Sequence, residues 1–275
     1  MKISKILIIL LLFSVSAIQA QNDKPPTQTE LDEITARGKM LFEYDVAAWH
    51  STDAVFAMSP EEGSFTRYIA RKTEKGWTVA YGKLNEKQDK FLIVYEAVEG
   101  EKPEEFKVTK LDKPKEDNGF YLNAAESLET ALAEFSKFYV LNRAYNFAVL
   151  PTKNGEFFVY ALPAQTEIGV FPLGGDVRYK ISKDGAKIIE TRQMHKSIIE
   201  VSTPPKGVEV KTGYHTAVLD DIPEDSDVFH VLTRKFNIPE LIVTNKFVYQ
   251  IAPDGLIKYV MTREAFTKIG QEKSK

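Results

Sequence analysis

The chain contains no cysteine, and that one absence removes disulfides, thiolate metal sites, iron–sulfur clusters and a cysteine nucleophile. Any metal must therefore be held by nitrogen and oxygen, drawn from four histidines and 39 Asp and Glu residues. The basic excess of a nucleic-acid binder is missing as well, since the net charge is −3. No GxxxxGK[ST] stretch occurs, and Gly174-Gly175 lacks the rest of a dinucleotide fingerprint. GxSxG and HExxH are also absent, which leaves nucleophile-elbow hydrolases and ordinary zincins without support. Beyond the first 20 residues no apolar run approaches the ~20 residues of a membrane span.

What is present begins with an address. Lys2 and Lys5 precede the apolar run Ile6–Phe13, which Val15, Ala17 and Ile18 continue and Gln19, Gln21 and Asn22 end. This is the form of a secretory signal peptide over residues 1–20, with cleavage after Ala20 or Ala17. The expectation is an exported protein, periplasmic or secreted, with no transmembrane segment in the mature chain. Without cysteine it has no lipid anchor of the lipoprotein kind and must be held by packing; 43% hydrophobic residues in 275 suffice for that.

Periodicity then predicts an α+β fold, ordered as an N-terminal helix, an antiparallel meander, a second helix and a β-rich C-terminal domain. Residues 21–28 read as a polar tether. Thr27-x-x-Glu30 has the form of a capping box, and Leu31, Ile34, Leu41, Phe42, Ala48 and Trp49 recur at helical spacing. A helix over about 29–58 follows, with breaks near Gly38 or Ser51-Thr52-Asp53 left open. Strands are expected at 65–71, 77–83 and 90–97, with 106–111 as a further strand, so that 29–111 forms one part. The charged stretch 112–119, containing Pro114, reads as a loop and domain boundary. A helix from Asn123 to about Tyr145 opens the second part, 120–262. Strands at 156–162, 177–182, 187–192, 197–201 and 208–216 follow, then a short helix at 225–235 and strands at 241–244, 246–251 and 256–261. Residues 263–275 read as a polar tail, part helical.

Four places carry the residue types of chemistry. His50 and Asp53 have the spacing of an oriented imidazole, or simply end a helix. Gly174-Gly175-Asp176 reads as a loop leading into a strand. His195 follows Met194 at a strand junction and reads as a surface or edge residue. In Gly213-Tyr214-His215-Thr216, by contrast, the histidine ends a strand, an acidic loop follows, and Asp227 opens a helix. A strand-end imidazole and a helix-start carboxylate are an N/O donor pair of the kind zinc accepts. His230, three residues after Asp227, can share its helix face. The acidic residues Asp220, Asp221, Glu224, Asp225 and Asp227 lack EF-hand spacing and read as a solvated loop or a calcium site.

This stretch resembles the JAB/MPN (JAMM) metallopeptidase family, on Tyr214-His215-Thr216, on Pro223-Glu224-x-x-Asp227, and on the following Ile238-Pro239-Glu240-Leu241-Ile242-Val243-Thr244 and Val248-Tyr249. The resemblance implies a zinc held by two histidines and an aspartate, with an upstream glutamate as base, over about 123–260. Ala217 stands where the second histidine belongs and Glu224 where a serine belongs; Glu167, Glu190 and Glu200 are the upstream glutamates available as base.

The leading expectation is therefore an exported, non-catalytic envelope or secreted protein without a cofactor, binding an unidentified protein, ligand or envelope component. The alternative is a divergent zinc-dependent peptidase or isopeptidase with His215, Asp227 and His230 as metal ligands, His195 being the other source of the third. A further alternative is a ligand pocket in the meander lined by Trp77 and Tyr81.

Overall fold

The computed structural model describes residues 24–138 and 143–272. The expected signal peptide and the first residues of the tether lie outside them. No helix among the described residues is long and apolar enough to cross a membrane.

The fold is α+β. The first helix, α1 (Gln28–Phe56), starts at a complete capping box in which Thr27 and Glu30 satisfy each other's backbone N–H. It runs unbroken through Gly38 and Ser51. Gly38 is there for contact rather than flexibility, because a Cβ at that position would lie 2.5 Å from Val228 Cβ and 2.6 Å from the Asp225 carbonyl oxygen. Strands β1 (Arg67–Thr73), β2 (Gly76–Leu84), β3 (Phe91–Glu99) and β4 (Phe106–Asp117) form the antiparallel meander in the order β1-β2-β3-β4. The segment 112–119 is mostly strand rather than loop. Lys115, Glu116 and Asp117 pair with Ile93, Leu92 and Phe91, beyond a register shift that opposes Pro114 to no ladder partner.

Helix α2 (Phe120–Phe138) starts three residues earlier than the sequence suggests, because Asp117 Oδ1 caps the N–H groups of Gly119, Tyr121 and Leu122. It does not reach Tyr145, which opens β5 (Tyr145–Pro151), a strand not expected from the sequence beyond the placing of its first residue at the helix end. Strands β5, β6 (Phe157–Pro163), β8 (Val177–Ile181) and β9 (Ile188–Gln193) form a second antiparallel sheet, β5-β6-β8-β9. The short strands β7 (Val170–Leu173) and β10 (Ile199–Ser202) pair apart from it. The last sheet, β11-β12-β13-β14, contains β11 (Gly213–Thr216), β12 (Glu240–Val243), β13 (Phe247–Ile251) and β14 (Ile257–Thr262). Its β11–β12 pair is parallel, with α3 (Asp225–Arg234) in the crossover. The last element among the described residues is α4 (Arg263–Glu272).

Helix α1 belongs to two cores. Leu41, Tyr44 and Val55 pack with Trp77, Val79, Tyr81 and Tyr95 of the meander and with Tyr160 and Met194. Leu31 and Ile34 pack with Val228, Ile242, Tyr249 and Ile257. Trp77 and Tyr81 are thus filled core, with Ser51 Oγ on the Tyr81 hydroxyl at 2.7 Å, and the ligand pocket proposed between them does not form.

A candidate metal centre

Where β9, β11 and α3 meet, three buried side chains turn their donor atoms toward one another. His195 lies just after β9, His215 is the third residue of β11, and Asp227 stands in the first turn of α3. Their relative exposures are 7%, 5% and 1%. One donor atom from each lies within 4.8 Å of the other two. Asp227 Oδ1 is 3.0 Å from His195 Nε2 and 2.9 Å from His215 Nε2. Bonds of about 2.0–2.1 Å at a tetrahedral angle put two zinc ligands about 3.3 Å apart, so these separations are near those of a metal site.

The same distances suit hydrogen bonds, but the directions do not. His195 Nε2, His215 Nε2 and Asp227 Oδ1 are all buried without a hydrogen-bond partner. Three orphaned buried polar atoms in contact are costly unless something completes them. An ion at the point they share would do so.

The surroundings fix each donor. His195 Nδ1–H donates to Asp176 Oδ1 at 2.9 Å, and His215 Nδ1–H donates to Glu240 Oε1 at 3.1 Å. The other Glu240 oxygen accepts from Arg234 Nη2 at 2.6 Å. With each Nδ1 engaged as a donor, each Nε2 faces Asp227 Oδ1, as an N–H when the ring is protonated and as a lone pair for an ion when it is neutral. This carboxylate–imidazole arrangement is the one that orients histidines on zinc. Asp227 Oδ2 accepts from the Glu224 backbone N–H at 2.7 Å, closing the helix cap and leaving Oδ1 for the cluster.

Burial works against charge on all these groups, and their mutual attraction outweighs it. Burial disfavours the Asp227 carboxylate, yet His195 and His215 hold its carboxyl well below the usual range. Burial also opposes protonation of His195, but Asp227 and Asp176 hold it up to about 11; Asp227 and Glu240 hold His215 at about 9. His230 differs, since burial and the nearby Arg234 bring it down to about 4.

Local sequence explains the placement. Gly174 and Gly175 both have positive φ, at 87° and 67°. A Cβ on Gly174 would stand 2.3 Å from the Ser197 carbonyl oxygen and 3.0 Å from His195 Cβ. The two glycines let the chain pass against the His195 loop and deliver Asp176 to its imidazole. Met194 N–H donates to the Asp176 carbonyl at 3.1 Å and closes that approach.

Of the residues singled out from sequence, His215 and Asp227 are brought together, and with them His195, the alternative to His230 as third ligand. His230 is buried with an unpaired Nε2 but is not a member of the group of three. The second imidazole is that of His195, which is buried rather than a surface or edge residue. Ala217 is buried at the end of β11 and binds the Val243 carbonyl through its backbone N–H. Glu167, Glu190 and Glu200 are exposed, the latter two beside Arg178 and Arg143. The glutamate at the cluster is Glu240, which enters the sequence reading only within the stretch 238–244 that carries the resemblance. Among the described residues no hydrogen bond or ion pair joins His50 to Asp53; His50 stacks on Trp49 instead, with ring centroids 4.7 Å apart.

Of the acidic run, Asp220 is exposed as a solvated loop would have it, but Glu224, Asp225 and Asp227 are buried. Glu224 is clamped by Arg192, with Nε–Oε2 at 3.0 Å and Nη2–Oε1 at 2.6 Å. Asp225 takes Arg37 Nε at 2.9 Å, the Tyr160 hydroxyl at 2.8 Å and Arg178. The helix N-terminus is thereby anchored to α1, β6, β8 and β9, and Asp227 is carried on a rigid element.

Neither a protein-family model, nor a curated protein, nor a solved structure matches this chain.

Proposed function

We propose that the chain is an exported zinc protein in which His195, His215 and Asp227 hold the ion, and that its centre serves hydrolysis of an amide bond. One observation carries the reading: three buried donor atoms converge without hydrogen-bond partners while both imidazoles are braced from behind by Asp176 and Glu240. Two nitrogens and one oxygen make the three-ligand set of hydrolytic zinc sites, which leaves a fourth position for water or substrate. Zinc bound there supplies a water of lowered pKa. Asp176 and Glu240 keep the imidazoles in the ligating tautomer and raise their basicity. Export rests on the pattern of residues 1–20, and the choice of a peptide or isopeptide bond on the resemblance to JAB/MPN proteins around His215 and Asp227.

A second reading is favoured by the depth of the cluster. A non-catalytic envelope protein can use Asp176, His195, Asp227, His215, Glu240 and Arg234 as a buried polar core with protonated imidazoles and no metal.

Metal analysis of the mature chain, purified without a metal-binding tag, separates the two. About one zinc per chain, lost in a His215→Ala/Asp227→Ala variant that still folds, is the expected result; a metal-free chain that resists zinc loading leaves the polar core. With zinc established, release of new amino termini from a peptide mixture, abolished by a chelator and restored by zinc, tests hydrolysis.

A further inference from the structure

A cleft of about 280 Å³ opens between α1, the ends of β6 and β7, and α3. Asp45, Trp49, Phe171, Phe229 and His230 are among the residues that line it, and among the described residues no Lys or Arg does. Asp45 lies on the α1 face that looks into this cleft and is partly buried. It has no hydrogen-bond or ion-pair partner among the described residues. The other deeply placed carboxylates nearby have a role or a partner: Asp225 is held by Arg37 and Arg178, Glu224 by Arg192, Asp176 by His195 and Glu240 by Arg234, while Asp227 belongs to the group of three. The cleft mixes aromatic and polar side chains, and a partly buried carboxylate without a partner there is disfavoured. Retaining one beside aromatic rings makes sense where a cation completes it, because ring faces attract cations as well as apolar stems. Trp49 is 59% exposed and lines the cleft, with His50 stacked on its ring.

We propose that this cleft binds a primary ammonium group on an alkyl chain, with Asp45 as counter-ion and Trp49, Phe171 and Phe229 around the stem. The volume suits one lysine-sized group rather than a large ligand. Burial alone raises the Asp45 carboxyl to about 6, which is what a carboxylate awaiting a cation experiences; an ammonium reverses the direction. His230 lines the same cleft and stands on α3 one turn from Asp227, so a ligand held here lies next to the candidate metal centre. The proposal does not depend on that centre holding zinc. The same chemistry has two sources, a lysine side chain of a polypeptide and a free alkylamine.

The test uses the full mature chain at pH 7.5. Trp49 and Trp77 are the two tryptophans, and Trp77 is buried in the meander core; a Trp77→Phe variant therefore leaves Trp49 as the reporter. The probes are n-pentylammonium, Nα-acetyl-lysine N-methylamide and, as neutral control, 1-pentanol. Saturable change in Trp49 emission with both ammonium probes, at least tenfold weaker with 1-pentanol, is the expected result. Asp45→Asn weakens the ammonium probes tenfold or more, whereas His215→Ala/Asp227→Ala leaves them unchanged even if metal is lost. Tighter binding of the lysine probe identifies a polypeptide ligand, and equal binding a free amine. Calorimetric titration of the unsubstituted chain gives the same comparison if Trp77→Phe does not fold. No saturable binding, equal affinity for 1-pentanol, or an Asp45→Asn variant that binds as well as its parent overturns the proposal.

Discussion

Glu240 stands directly opposite Gly213 in the parallel β11–β12 pair, and the absence of a side chain on Gly213 is what lets its carboxylate reach His215. A Cβ on Gly213 would lie 2.0 Å from Glu240 Oε2, an atom already held by Arg234. Backbone strain is not the issue here, because Gly213 is not among the positive-φ residues. Gly213→Ala therefore drives Glu240 away from the imidazole. On the zinc reading it lowers affinity by roughly 10–100-fold, the usual cost of losing an outer carboxylate. Glu240→Gln does the same without crowding. Competition with a fluorescent chelator measures both; unchanged affinity in Glu240→Gln removes the carboxylate from the centre.

The three donors and His230 are separable by metal content. His195→Ala is expected to lose stoichiometric zinc, although the residue reads from sequence as a surface position. His230→Ala is expected to keep it, because its ring does not join the group of three. Zinc quantified per folded chain decides this, and retention in His195→Ala would exclude the site as drawn.

Asp45 gives a pH dependence whose sign is fixed by burial. Its carboxyl rises from an ordinary value of 3.8 to about 6 on folding, with Tyr68 as the titratable neighbour that feels its charge. The folded chain therefore holds this proton more tightly than the unfolded one. The associated stability is fully present below about pH 4 and is lost as pH rises through 6. Asp45→Asn is neutral throughout and escapes that loss. Its Tm should exceed the parent's by about 2–4 °C at pH 8, the effect of about 1 kcal/mol in a chain this size. The difference should vanish at pH 4. Thermal unfolding at the two pH values, without amines in the buffer, gives the answer.

Gly38→Ala places a methyl group against Val228 and the Asp225 carbonyl, both in the first turn of α3. Neither neighbour can yield freely, since Val228 is fully buried and Asp225 is tied by Arg37, Arg178 and Tyr160. The better helix propensity of alanine, worth about 1 kcal/mol, does not offset overpacking of about 1–3 kcal/mol. Chemical denaturation should show a net loss of stability, and any shift of α3 should also weaken zinc binding. A more stable Gly38→Ala would mean that the helices separate at little cost.

The elements legible from sequence are those whose signals are local. The capping box at Thr27 and Glu30 marks the start of α1, and the expected strands at 177–182 and 187–192 become β8 and β9, joined through Gly185 at φ 79°. What went unread depends on distant partners. Pro114 argues against a strand until β3 is seen to tolerate it at a register shift. Tyr145 continues a helical pattern until β6 is available to pair with β5. The candidate centre divides the same way. His215 and Asp227 lie 12 residues apart in a recognisable strand–loop–helix. His195 and Asp176 come from two loops that meet only because two glycines permit it. Glu224 and Asp225 are as hydrophilic as any surface acid, and only the arginines of α1, β8 and β9 make their burial affordable.

The long first helix also sets an order of events. Its opening residues bond across almost the whole chain, with Gln28 Nε2 on the Ile257 carbonyl at 3.0 Å and the Ile257 N–H on Thr35 Oγ1 at 3.3 Å. On a ribosome, Leu31 and Ile34 are made more than 200 residues before Ile242, Tyr249 and Ile257, the wall they pack against. Until those strands emerge that apolar stripe lacks its native cover. Contacts of such long range form slowly, so a ribosome-stalled fragment ending before β12 should be protease-sensitive at the start of α1.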